Sequence, residues 1–171
     1  MFNKVLVPLD GSEMSEVVLP YVENIGGCYS AEVILLRVVP TPQDRLIATV
    51  YQPSMVVPGS AEDPVPLPHP VYQEQEMASL RVEAERTLAG ARRRLTEAGL
   101  RPRIEVLFGR PADRIVEYAT KEDVDLIVIS THGLSGLGRW AFGSVAKRIM
   151  RATDIPVLLI RPTAGNDALP A

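Results

Sequence analysis

Short apolar runs rich in β-branched residues alternate with amphipathic helical patterns along this chain. The predicted strands are residues 4–10, 31–39, 103–108, 124–129 and 155–160. Between them, apolar residues recur three and four positions apart, which is the spacing of one helix face. In the first helical segment, Pro20 is expected to kink the helix or to shift its hydrogen bonding, and Gly26-Gly27 is expected to end the helix. Five strands alternating with four helices predict an α/β fold, a parallel sheet with helices on both faces.

Composition and charge favour a single domain and disfavour several classes of protein. The 171 residues, 46% of them hydrophobic, are enough to build one core. The net charge of −3 disfavours a nucleic-acid-binding protein, which would carry a basic face. No apolar run approaches the roughly 20 residues of a membrane helix, and no signal-peptide pattern is present. Because the single cysteine, Cys28, has no internal partner, we expect a soluble cytoplasmic domain that binds neither nucleic acid nor membrane.

The fourth predicted strand leads into a glycine-rich loop and then into a helix, an arrangement that commonly binds phosphate. The loop begins with STHG at 130–133, and GSVA at 143–146 opens the next helix. Glycines let backbone N–H groups approach an anion, and a helix start adds unpaired N–H donors and a positive dipole end. The sequence therefore predicts a phosphate-binding site here.

A second feature typical of a binding site is the acidic residue that ends the first strand. Asp10 is followed by Gly11 and by Ser12, which is suited to cap the next helix. Ligands of doubly wound sheets bind beyond the carboxyl ends of the strands, where the winding reverses. If the first and fourth strands are neighbours there, Asp10 and the loop 130–136 share one crevice. Asp10 could equally do no more than end the strand and cap the turn.

Other phosphate, metal and catalytic motifs do not fit this sequence. Residues 136–141 match the dinucleotide pattern G-x-G-x-x-A, but they start several residues after the strand, and the next strand ends in Arg161. The sequence has no Gly-Lys-Ser/Thr of a P-loop and no Cys, His and carboxylate residues at metal-ligand spacing. Because His132 has no evident nucleophile beside it, we predict neither a catalytic residue nor a metal site.

Several segments, in matching order and spacing, resemble the universal stress protein family. They are KVLVPLDGSE at the start, VILLRV in the second strand, STHG and GSVAKRIM separated by nine residues, and the final IPVLLIRP. The nucleotide-binding branch of that family carries Gly, two residues, Gly, nine residues, and then Gly-Ser or Gly-Thr. Here Ser130 stands at the first glycine position, and Gly133 and Gly143-Ser144 are in register. The resemblance covers one domain over 1–171, apart from an insert at 40–72 and the tail.

The resemblance implies a fold, a ligand and a set of site residues. The fold is a five-stranded parallel sheet of strand order 3-2-1-4-5, Rossmann-like and of the adenine nucleotide alpha hydrolase type. The function is that of a stress-response regulatory protein that binds ATP at the switch point between strands one and four, with any Mg²⁺ carried on the phosphates. The residues implied for adenosine are Pro8, Leu9, Asp10 and Val38. Those implied for phosphate are Ser130, Thr131, His132, Gly133, Leu134, Ser135, Gly136, Gly143, Ser144, Val145 and Ala146.

Two other functions stay open at the level of sequence. One is a slow ATPase that uses the same loop, which the lack of an evident general base, catalytic lysine or arginine clamp disfavours. The other is a nucleotide-free dimeric interaction module, which the presence of Gly133 and Gly143 disfavours. The protein partner of a regulatory module is not evident from the residues.

Three segments suggest contacts or flexibility outside the nucleotide site. The last strand, 155–161, is apolar and lacks lysine, so as a sheet edge it predicts a homodimer. Residues 40–72 contain too many prolines for a helix or a central strand, and they predict a lid, a partner-binding arm or a disordered insert. Residues 163–171 predict a flexible tail.

Overall fold

The described part of the chain folds around one five-stranded parallel sheet. The computed structural model of the protein describes residues 2–41, 44, 70–131 and 143–162. The elements are β1 (Lys4–Pro8), α1 (Glu13–Glu16), α2 (Leu19–Tyr29), β2 (Glu32–Val39), α3 (Pro70–Glu97), β3 (Arg103–Phe108), α4 (Pro111–Lys121), β4 (Leu126–Ser130), α5 (Ser144–Ala152) and β5 (Val157–Ile160). All strand pairs are parallel, and the order is β3-β2-β1-β4-β5. The α/β fold and the strand order 3-2-1-4-5 are therefore confirmed.

The core consists of two apolar layers, one on each face of the sheet. On one face, Val7 and Leu35 pack with residues of α2 and α3 such as Leu88. On the other face, Leu6 packs with residues of α4 and α5 such as Ile149. Successive strand side chains point to opposite faces, so a strand covered on both faces has to be apolar throughout. This explains why the inner strands are apolar runs in the sequence, interrupted in β2 by Arg37.

The first predicted helix is divided into α1 and α2. Pro20 lies in the first turn of α2, where a proline removes no intrahelical hydrogen bond. The expectation that Gly26-Gly27 ends this helix is wrong, because α2 continues to Tyr29. A Cβ on Gly26 would lie 2.8 Å from Leu100 Cδ1, so this glycine permits close packing. The helix ends instead at Ser30, which has a left-handed φ of 52°.

Much of the proline-rich segment and the tail lie outside the described residues. α3 begins at Pro70, within the segment 40–72, and a proline in the first turn is compatible with a helix. The other expectations for 40–72 and those for 163–171 concern residues that the structure does not describe. None of the helices in the described ranges is long and apolar enough to cross a membrane.

Candidate functional site

A cavity of about 280 Å³ lies at the carboxyl ends of β1, β2 and β4. The winding of the sheet reverses here, because β1 has β2 on one side and β4 on the other. Doubly wound sheets bind their ligands at this position. The described lining residues are Pro8, Leu9, Asp10, Ser15, Leu36, Arg37, Val38, Pro40, Pro111, Ile115, Ile129, Ser130, Thr131, Gly143, Ser144, Val145 and Ala146.

Hydrogen bonds within the loop after β1 orient Asp10. Its carboxylate accepts a bond from the Ser12 N–H at 3.0 Å and another from the Ser12 hydroxyl at 2.5 Å. Gly11 between them has a φ of +78°, which a glycine adopts without strain. The Ser12 Oγ also accepts a bond from the Ser15 N–H at 3.2 Å and so caps α1. Asp10 therefore stabilises this turn and also lines the cavity.

The end of β4 and the start of α5 meet in a close backbone contact at Gly143. The Gly143 N–H donates to the Thr131 carbonyl at 2.7 Å, and a Cβ on Gly143 would lie 3.1 Å from the same oxygen. Gly143 has a φ of −55°, which any residue adopts, so close approach rather than backbone conformation favours glycine here. The Thr131 N–H donates in turn to the Ile160 carbonyl at 2.8 Å. These bonds anchor α5 to the sheet beside the cavity.

The first turn of α5 borders the cavity through Ser144, Val145 and Ala146. The N-cap residue is Gly143, and within the described part of the chain no side chain caps this helix. N–H groups in the first turn of a helix have no intrahelical acceptor, and they carry the positive end of the helix dipole. Without a capping side chain to compete for them, they suit an anionic ligand.

The arginines Arg148 of α5 and Arg110 at the start of α4, neither of which is among the described lining residues, both pair with the carboxylate of Asp113. An Nη of Arg148 lies 2.8 Å from Asp113 Oδ1, and Arg110 Nε lies 3.2 Å from Asp113 Oδ2. Among the lining residues that the structure describes, the charged side chains are Asp10 and Arg37. The described ranges hold no group of three or more His, Cys, Asp or Glu residues suited to a metal ion. An anion near α5 would therefore meet backbone donors first.

The structure brings the described members of the predicted site to this one cavity. Those that line it are Pro8, Leu9, Asp10, Val38, Ser130, Thr131, Gly143, Ser144, Val145 and Ala146. The other predicted residues, His132, Gly133, Leu134, Ser135 and Gly136, lie outside the described residues. Contact of any of these residues with a nucleotide stays a prediction.

Sequence reasoning missed part of the lining. The missed residues are Ser15, Leu36, Arg37, Pro40, Pro111, Ile115 and Ile129. Leu36 lies two positions from Val38 and so shares its strand face, a signal present in the sequence. Arg37 is a charge within an apolar run, which is a second signal. Ile115, by contrast, reaches the cavity because α4 packs against β2, and no local pattern contains that contact.

Comparisons with known proteins indicate one family. A model of the universal stress protein family matches residues 1–161. The universal stress protein MJ0531 of Methanocaldococcus jannaschii is 30% identical over 161 residues, which cover 94% of this chain and 83% of that protein.

Solved structures share the fold over nearly the whole chain. Protein MJ0577, also of Methanocaldococcus jannaschii, matches with a TM-score of 0.74 and 25% identity, over 96% of this chain and 99% of that one. A universal stress protein family protein of Arabidopsis thaliana, solved with AMP bound, matches with a TM-score of 0.61 and 17% identity. The second match covers 95% of this chain and 93% of that one.

Proposed function

The chain belongs to the universal stress protein family, and from this premise we propose that it is a stress-response regulatory protein that binds ATP in the cavity between β1 and β4. The AMP bound by the Arabidopsis thaliana protein of the same fold supports an adenine nucleotide as the ligand class. The protein partner to which such a module would respond stays open.

The observation that carries the proposal is the combination of surfaces in one cavity. Leu36, Val38 and Ile115 form an apolar wall, Asp10 supplies a carboxylate, and the first turn of α5 supplies N–H donors. A nucleotide has the same three parts, because its base is flat and largely apolar, its ribose carries hydroxyl donors, and its phosphates are anionic. Each surface therefore has a chemically matched part of the ligand.

We assign the parts of the ligand from this match. The base would lie against the apolar wall near Val38, and the ribose hydroxyls would donate to Asp10, since a charged acceptor makes the stronger hydrogen bond. The phosphates would accept bonds from the first turn of α5 and from Ser144, together with the loop 130–136. Mg²⁺, when present, would be carried by the phosphates and water rather than by protein ligands.

The edge of the sheet supports a homodimer as the working form. β5 lies at one end of the strand order, and Val157, Leu158 and Leu159 are only partly buried. An apolar edge strand offers unpaired backbone groups to a second copy, and two such strands related by a two-fold axis would pair antiparallel. Two strands, β4 and β1, lie between this edge and β2, so dimerisation would leave the nucleoside side of the cavity open.

The proposal is tested by identifying and then titrating the ligand. Denaturing the freshly purified protein should release ATP or ADP, which chromatography of the supernatant identifies. The ratio of ADP to ATP reports on hydrolysis. Isothermal titration should then show binding of ATP and of adenosine. Absence of nucleotide from the preparation together with no measurable ATP binding at millimolar concentration would contradict the proposal.

A pair of matched variants locates the binding. Asp10→Asn keeps an oxygen acceptor for Ser12 but removes the charge, so it should weaken ATP and adenosine alike, by roughly three- to tenfold. Asp113→Asn is the control, because this carboxylate is paired with Arg148 and does not line the cavity. Equal losses in both variants would indicate a general structural effect and not a site at Asp10.

A further inference from the structure

Ser12, in the loop between β1 and α1, makes two different hydrogen bonds through one hydroxyl group. Its Oγ–H donates to Asp10 Oδ1 at 2.5 Å, and its Oγ accepts a bond from the Ser15 N–H at 3.2 Å. The backbone N–H of Ser12 donates to the same Asp10 oxygen at 3.0 Å. The carboxylate that lines the cavity is therefore held by two donors of a single residue.

Capping of α1 accounts for only one of the two bonds that the hydroxyl makes. A capping side chain acts as an acceptor, and asparagine or aspartate caps a helix as well as serine does. Within the described ranges, α4 and α5 begin after Arg110 and Gly143 without a capping side chain, so a helix of this fold can start without one. The bond that the Ser12 hydroxyl donates to Asp10 contributes nothing to the cap and needs a different explanation.

The backbone of Asp10 is fixed from both sides by other contacts. The Leu9 N–H donates to the Leu36 carbonyl at 2.9 Å, which extends the pairing of β1 and β2 to the residue before Asp10. On the other side, Ser15 Oγ accepts a bond from the Asp10 N–H at 3.3 Å and donates to the Ser12 carbonyl at 2.8 Å. Ser15 is only 5% exposed, so water competes little for these bonds. With the backbone held, the orientation of the Asp10 side chain is what the Ser12 hydroxyl restricts.

A carboxylate that is oriented before the ligand arrives binds hydroxyl groups more tightly than one that rotates freely. Ordering a side chain during binding costs free energy, and this cost is avoided when the side chain is already held. A hydrogen bond to an ionised acceptor is short and strong, so the bond from the Ser12 hydroxyl is suited to this task. Because a carboxylate accepts up to about four hydrogen bonds, the two from Ser12 are compatible with further bonds from a ribose.

We propose that Ser12 is a positioning residue for the nucleoside, whose hydroxyl holds the Asp10 carboxylate in the orientation in which it accepts bonds from the ribose hydroxyls. The inference rests on the proposed nucleotide-binding function. Ser12 is not among the described lining residues, so it acts through Asp10 and not by contact with the ligand. This role explains why the residue at this position carries a group that both donates and accepts.

Two substitutions that remove the hydroxyl differ in their effect on α1. Ser12→Gly should lower the Tm only slightly, because glycine is an acceptable N-cap residue, whereas Ser12→Ala should lower it more, because alanine is a poor one. Both variants should bind adenosine more weakly than wild type by the same factor of about three, since each frees the Asp10 carboxylate. Ser12→Thr retains the hydroxyl, and the extended backbone at this position, with a φ of −89°, accepts threonine, so this variant should keep wild-type affinity.

A nucleoside without the ribose hydroxyls separates positioning from a general structural effect. Wild-type protein should bind 2′,3′-dideoxyadenosine more weakly than adenosine, and Ser12→Gly should bind the dideoxy nucleoside as tightly as wild type does. In an Asp10→Ala background, Ser12→Gly should cause no further loss of adenosine affinity, because Ser12 acts through this carboxylate. The control Thr153→Ala removes a hydroxyl that accepts a bond from the Ile155 N–H outside the described lining, so it should bind both nucleosides as wild type does.

Four results of these titrations would overturn the inference. They are wild-type adenosine affinity in Ser12→Gly, an equal loss for the dideoxy nucleoside, a loss that grows with the fall in Tm from Ser12→Gly to Ser12→Ala, and losses in Ser12→Gly and Asp10→Ala that multiply in the double variant. If the wild-type protein binds neither adenosine nor ATP, the proposed function fails and the inference fails with it. If it binds both and the Ser12 variants bind them equally well, only the role of Ser12 fails.

Discussion

Replacing Ser144 by alanine tests the phosphate side of the cavity without disturbing the helix that forms it. Ser144 is the first residue of α5, and Gly143 rather than Ser144 occupies the N-cap position. Its hydroxyl therefore does not cap the helix, and alanine is the most favourable residue within a helix. We expect the free energy of unfolding of Ser144→Ala to stay within about 0.5 kcal/mol of wild type.

The expected loss of affinity follows from the exposure of this residue. A hydrogen bond to a charged group contributes about 1.5–3 kcal/mol, and one to a neutral group about 0.5–1.5 kcal/mol. Ser144 is exposed in the structure, so water competes for the phosphate, and the expected contribution lies in the upper half of the neutral range, up to the lower limit of the charged range. A loss of about 1–1.5 kcal/mol corresponds to a roughly five- to twelvefold weaker ATP complex.

Isothermal titration with ATP and with adenosine measures this loss and locates it. Adenosine has no phosphate, so its affinity for Ser144→Ala should equal that of wild type. Thr153→Ala is the matched control at the other end of α5, where the Thr153 hydroxyl accepts a bond from the Ile155 N–H at 3.1 Å. The control should lower stability slightly and leave ATP affinity unchanged. An unchanged ATP affinity in Ser144→Ala, or an equal loss for adenosine, would refute the assignment of phosphate to α5.

Three further predictions concern assembly and stability. Leu158→Lys should place a charge on the edge strand and give monomers in light scattering, and a wild-type protein that is already monomeric at micromolar concentration would contradict the dimer. Hydrogen bonds from the backbone N–H of Asn3 and of Lys4 lower the pKa of Asp125 below its ordinary value of 3.8. The stabilisation is fully present above the ordinary pKa and is lost as the pH falls through the lowered pKa of Asp125 in the folded protein. Asp125→Asn should therefore be less stable than wild type in urea at pH 7, and the difference in stability should shrink below about pH 4. Gly11→Ala should lower the free energy of unfolding by about 1–2 kcal/mol, because φ is +78° and a Cβ would lie 3.3 Å from Thr87; an unchanged urea midpoint would show that the loop adapts.

Local patterns in the sequence were sufficient for the elements that build the site. The β-branched runs predicted the strands, and their alternation with helical patterns predicted a parallel sheet, because parallel strands require a crossover between them. The carboxyl ends of parallel strands share one edge, so Asp10 and the loop 130–136 were expected to meet there if the first and fourth strands were neighbours. The elements follow from the chain neighbours of each residue and the period of its secondary structure, whereas the order of the strands came from the family resemblance.

Tertiary structure decided the points at which a residue depends on partners distant in the chain. Gly26 has the sequence pattern of a helix stop, but in the fold it accommodates Leu100 and the helix continues. The environment of Arg37 comes from Asp10 after β1 and Glu83 of α3, and Ile115 joins the cavity wall through the packing of α4. The burial of a residue and its electrostatic environment depend on all the residues that surround it in the fold. A single sequence does not show which distant residues those will be.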